Sequence, residues 1–181
     1  MQTIRSALPA SSSVRADIQV LRGFAVGVVL LYHAGLKSIG GGYLGVDVFF
    51  VISGFLITNL LARAIESGTF SFADFYARRA RRLLPAAYVV FGLVAAVAPW
   101  TLAGVELIDL RAQLLGALTF SANVQFWQHT GYFEGAARYK PLLHTWSLAV
   151  EEQYYFVIPA LLVLLRPNRW RLAMVVLTLC S

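Results

Sequence analysis

Residues 21–35 read LRGFAVGVVLLYHAG, an apolar run broken only by Arg22 near its start and His33 near its end. A helix that is apolar on every side has no watery face, so this stretch decides which solvent the fold sees. Eleven residues at 100° each make three turns plus about 20°, which puts both side chains on one helix face, about 16 Å apart along the axis. They cannot touch directly. Inserting an arginine into such a span costs roughly 2.5–3.5 kcal/mol, so ionisable groups there face a bundle interior or a watery cavity. Two readings stay open: the pair marks a site, or Arg22 snorkels to the headgroups and His33 sits at the opposite interface.

The rest of the chain shares this character. Over 181 residues it is 59% hydrophobic and 13% charged, with a mean hydropathy of +0.68. These values do not fit a soluble globule and predict an all-α, polytopic membrane bundle. The net charge of +6 comes from arginines beside the apolar runs: Arg15, Arg22, the group between Arg78 and Arg82, and that between Arg166 and Arg171. That placement reads as positive-inside topology and attraction to anionic lipid, with nothing that favours nucleic acid. One cysteine, Cys180, excludes an internal disulfide, and no Cys/His spacing suggests a metal site. Residues 23–32 have the length of a signal-peptide core, but Arg22 and His33 extend the segment on both sides and further apolar runs follow.

In chain order, residues 1–14 lack apolar periodicity and read as a disordered cytoplasmic tail. A first span is expected over 18–36. A turn follows over 38–45, where Gly40, Gly41 and Gly42 permit unusual backbone angles or the close approach of a ligand. The second span, 46–62, opens with Asp47, which is either solvated or orients His33 across the turn. Within it, Ser53 and Gly54 suit close helix packing.

Residues 66–82 are polar and basic. If 74–84 is a helix along the inner surface, Arg79 and Arg82 share a face, as do Arg78 and Arg81. The group reads as a headgroup anchor or as a grip on a phosphorylated cosubstrate. A third span is expected over 83–102, with Pro85 at its start. Residues 105–127 are long enough to cross but carry Glu106, Asp109, Arg111, Gln113 and Asn123. A crossing there would place the Arg166 cluster outside, so an amphipathic or re-entrant outer-face helix is expected.

A polar loop over 128–143, holding His129, Glu134 and Arg138, leads to the last full span, 150–165. Before and within it, His144 and Glu151 align seven residues apart and Ser147 pairs with Glu151 at i,i+4. Glu152 reads as an interfacial acid at the mouth of the span. Residues 170–181 start another apolar run too short to cross.

Four of these stretches, in this order, resemble motifs of the acyltransferase 3 family of bacterial membrane acyltransferases. Arg22 and His33 are similar to its Arg/Lys-x10-His pair. GGYLGVDVFFVISGFLI resembles its second-span motif, and FYARRARRLLP its arginine motif, with Arg79 and Arg82 in the Arg-x-x-Arg positions. PLLHTWSLAVEEQYY resembles its block around His144, Glu151 and Glu152. The resemblance implies about ten helical spans, of which 15–181 supplies roughly the first half.

It also implies an activity: transfer of an acyl group, usually acetyl from acetyl-CoA, to a hydroxyl of a carbohydrate or other envelope acceptor. O-antigen lipopolysaccharide, peptidoglycan, a lipid-linked sugar and an exopolysaccharide all fit as acceptors. On that analogy His33 is catalytic with Arg22 supporting it. Arg79 and Arg82, aided by Arg78 and Arg81, bind the CoA phosphates, while Asp47, His144, Glu151 and Glu152 support. Acyl-CoA is a cosubstrate, no permanent cofactor or metal is expected, and the protein belongs in the inner membrane with its N-terminus in the cytoplasm. The residues alone also admit a transporter or lipid-handling protein for an anionic solute, with His33 relaying protons, or an inactive fragment.

Overall fold

The computed structural model describes residues 16–36, 40–129, 140–165, 167–170 and 175; the side chains of Ala16 and His129 are left aside. The tail over 1–14, Glu134 and Arg138 of the polar loop, and most of the last apolar run lie outside these residues. All described elements are helical: α1 (Ala16–His33), α2 (Leu44–Glu66), α3 (Phe72–Thr101), α4 (Gly104–Leu118), α5 (Ala122–His129) and α6 (Thr145–Leu164), then a short 3₁₀ turn, Pro167–Arg169. Three of them, α2, α3 and α6, are long and apolar enough to cross a membrane. Shorter, and carrying Asp17 and Arg22, α1 is not one of these three. The chain forms two compact units, residues 1–55 and 56–181.

In the first unit, α1 packs on the first half of α2 through missing side chains. A Cβ on Gly45 would fall 2.5 Å from the Ala25 carbonyl oxygen, and one on Gly42 would overlap the Tyr32 side chain. Gly42 and Gly45 therefore admit a neighbouring helix at close approach. Among the described glycines, positive φ occurs only at Gly35 (84°) and Gly68 (68°). Both close helices with the same motif. The Leu36 N–H donates to the Leu31 carbonyl and the Gly35 N–H to that of Tyr32; at the end of α2, Thr69 and Gly68 donate to Ala64 and Ile65.

In the second unit, α6 runs antiparallel to α3. Leu61, Phe75, Tyr155, Ile158 and Leu162 form one cluster at the start of α3, and Phe91, Ala98, Leu110, Ala117 and Leu142 another towards its end. A third, Ala122, Phe126 and Ala149, seats α5 on the start of α6.

Three expectations are corrected here. Residues 72–101 form one helix, so the arginines sit on the axial extension of a span and not on a separate surface helix. Ser71 starts it by accepting from the Asp74 N–H at 3.3 Å, which places Pro85 well inside. Residues 105–127 form two helices of 15 and 8 residues joined at Phe120, which has φ of 51°. Helix α6 begins at Thr145, so Glu151 and Glu152 lie two turns inside it and not at its mouth.

Candidate active site

The imidazole end of the first unit is built by the close packing of α1 on α2. Gly45 abuts Ala25; one turn along each helix, the Arg22 guanidinium lies 4.9 Å from the centre of the Phe49 ring. This half-buried arginine thus rests its charge on an aromatic face. His33 is the last residue of α1 and is exposed. Its Nδ1 lies 2.9 Å from the Val29 carbonyl oxygen. A carbonyl only accepts, so in the neutral ring Nδ1 carries the hydrogen and Nε2 keeps its lone pair. Tyr32 holds the ring edge-on at 5.5 Å.

Asp47 stands exposed in the first turn of α2. Of the two readings of Asp47, its exposure agrees with the solvated one, and the contact described at His33 Nδ1 is to the Val29 carbonyl, because a histidine on the last turn reaches the oxygen one turn back. Ser53 is buried at 4% exposure, consistent with the packing expected of it. Its hydroxyl has no hydrogen-bond partner among the described residues.

The arginine end belongs to the second unit. Arg79 donates from Nη2 to Glu152 Oε1 at 2.6 Å and from Nε to Oε2 at 3.5 Å. Its Cζ lies 3.5 Å over the Tyr155 ring, and the Tyr155 hydroxyl donates to Glu151 Oε1 at 2.6 Å. Glu152 is therefore not an interfacial acid: it is buried at 6% exposure opposite a guanidinium. Glu151 pairs with Tyr155 and not with Ser147, whose hydroxyl donates to the His144 carbonyl at 3.0 Å. His144 is exposed immediately before the first turn of α6. Arg78, Arg81 and Arg82 are exposed.

Tyr76 adds a second tie. Pro159 has no N–H, so the Tyr155 carbonyl loses its helical donor. The Tyr76 hydroxyl reaches that oxygen at 3.4 Å and the next one, Phe156, at 3.3 Å. Farther along, Gln153 donates to the Phe120 carbonyl at 2.8 Å and exchanges amide bonds with Asn123. Fully buried Gln113 accepts from the Leu142 N–H at 3.2 Å and donates to Asp109. Sequence reasoning passed over Tyr76, Tyr155 and Gln153. Only the Glu151–Tyr155 spacing of four offered a local signal.

Residues 15–181 match the family profile described as an acyltransferase domain. The chain is 42% identical over 170 residues to "Putative peptidoglycan O-acetyltransferase YrhL" of Bacillus subtilis, an alignment covering 89% of this chain and 26% of that protein. To "Putative membrane-bound transacylase BcsY" of Komagataeibacter xylinus it is 40% identical, covering 87% and 39%. To "Putative O-acetyltransferase SACOL0978" of Staphylococcus aureus it is 39% identical, covering 80% and 24%. The chain thus spans between a quarter and two fifths of the length of these relatives. No solved structure matches.

Proposed function

Because the chain belongs to the acyltransferase domain family, we propose that it forms the N-terminal part of a membrane O-acyltransferase. The enzyme moves an acetyl group from acetyl-CoA to a hydroxyl of a carbohydrate in the cell envelope. The relatives' names include a peptidoglycan O-acetyltransferase and a membrane-bound transacylase, which supports an envelope acceptor. The protein sits in the bacterial inner membrane with its N-terminus in the cytoplasm, so that the positive-inside tendency puts Arg78–Arg82 on the side of the CoA pool.

The observation that carries this reading is the His33 Nδ1 contact to the Val29 carbonyl, which in the neutral imidazole leaves the lone pair on Nε2 of an exposed ring. That lone pair serves either of two balanced routes. As a base, Nε2 takes the proton of the acceptor hydroxyl while its oxygen bonds to the acyl carbon; the carbon–sulfur bond breaks and the proton passes to the departing CoA sulfur. As a carrier, Nε2 itself bonds to the acyl carbon, CoA leaves as thiolate, and the acceptor oxygen then displaces the imidazole. An acyl-enzyme trapped with labelled donor identifies the second route. Arg22, resting on Phe49, supports the charge that develops in this unit, and the arginine group of α3, Arg79 and Arg82 with Arg78 and Arg81, holds the donor phosphates.

The test is acyl transfer from radiolabelled acetyl-CoA to envelope glycan in membranes holding the complete protein. His33→Ala is expected to lower transfer by about 10²–10⁴-fold, the range of a positioned acid–base group. Abundance and melting temperature are expected to stay at the wild-type value, since the exposed ring touches little. Full activity in this variant removes His33 from the mechanism.

A further inference from the structure

We propose that Arg79 and Glu152 are positioning residues, a strut that fixes the rotation of α3 against α6, and that the donor phosphates are held by Arg78, Arg81 and Arg82. The inference rests on the donor reading above, but it changes which arginines do the binding. Among the four, Arg79 alone is paired with a carboxylate among the described residues, at 2.6 Å, and its side chain is 24% exposed against 8% for that of Glu152. One edge of the guanidinium meets Glu152 and one face meets the Tyr155 ring. A phosphate taking this guanidinium would leave Glu152 buried without a counter-charge, which is far costlier than leaving the pair intact.

The surroundings of the pair are built to hold it. Tyr155 cannot swing away, because its hydroxyl is bound by Glu151 and its backbone carbonyl by Tyr76. Tyr155 shares its buried cluster with Leu61, Phe75 and Ile158. A strut at Arg79 sets where its neighbours point. Arg82 lies about 60° round the helix from Arg79, and Arg78 and Arg81 lie about 100° and 160° away, so all three directions follow from one fixed side chain. They are exposed and available to an anion.

The experiment is a double-mutant cycle in the complete protein, read by titration with coenzyme A itself and by melting in detergent. A positioning strut predicts that Glu152→Gln weakens CoA binding as much as Arg79→Gln does, by about tenfold, because either loss releases the same geometry. It also predicts that the double variant binds and melts no worse than either single one, and that Arg79→Lys recovers part of the affinity. If Arg79 is instead a phosphate ligand, Glu152→Gln frees it: affinity then holds or improves while Arg79→Gln alone weakens binding, which overturns the proposal. Melting losses with unchanged CoA affinity in both singles overturn it too, since the pair then only holds the fold together. Failure of the wild type to bind CoA defeats the donor reading. Melting losses that add across the pair then overturn the strut as well.

Discussion

The two units hold their candidate residues by opposite means. In the first unit, α1 meets α2 where atoms are missing: Gly42 and Gly45 let one backbone lie against the other, and His33 is left exposed at the end of α1. At the arginine end, α3 meets α6 through added polar groups, with Arg79, Glu152, Tyr155 and Tyr76 filling the seam. Without water to compete in a membrane interior, helices associate by close packing and by satisfied polar contacts. This chain uses the first in one unit and the second in the other. The first arrangement should fail when an atom is added, the second when one is removed.

The largest expected effect follows from adding atoms. Gly45→Val places a branched side chain where even a Cβ would fall 2.5 Å from the Ala25 carbonyl and 2.8 Å from Val29 Cγ2. Backbone cannot yield as a flexible side chain does, so overpacking is expected to cost about 3 kcal/mol or more. The complete protein should lose folded yield, with its melting temperature lowered by the largest margin of any variant here. A wild-type melt would show that α1 can move away from α2 at little cost.

Removing one oxygen from the other end has a smaller effect. Tyr76→Phe keeps the ring stacked on Phe156, 5.4 Å between centroids, and deletes the donor to the carbonyl that Pro159 leaves open. The bonds are long, so the expected loss is about 1 kcal/mol. It should appear as a modest drop in melting temperature with protein yield unchanged. Removing an oxygen from the glycine-packed unit should have the smallest effect. The Ser53 hydroxyl is buried without a hydrogen-bond partner among the described residues, so Ser53→Ala is expected to be neutral or to stabilise by up to about 1 kcal/mol. A clear destabilisation there would mean that this unit too depends on polar contacts, and the contrast would weaken.

Much of the fold was open to reading because apolar length is a local property. The runs that became α1, α2 and α6 stood out by composition, as did the failure of residues 105–127 to look like a single span. The limits of these helices were harder to read, for reasons that are local but weak. A proline after a basic stretch looks like a helix start, yet Pro85 costs only one internal bond in a 30-residue helix whose Ser71 cap lies fourteen residues earlier. His33 and Arg22 were legible because eleven residues on one helix fix their relation. Glu152 was misjudged because its meaning depends on a guanidinium 73 residues away. The Tyr76 contact was hidden for the same reason, since Pro159 announces an open carbonyl but not what will fill it. Local spacing named the candidate residues, and long-range packing assigned their partners.

The left-handed turn at Gly35 has one more consequence, which concerns length. The backbone turns at Gly35, two residues after His33, and so leaves that imidazole on the final turn of α1. A residue with a bulky β-carbon at position 35 would favour a helix that runs on. Inserting a single residue between Arg22 and His33 would swing the imidazole by about 100° and lift it by about 1.5 Å. The relation of the two side chains is therefore set by the count of residues from Arg22 to His33, and an error of one in that count would leave both present but facing different ways.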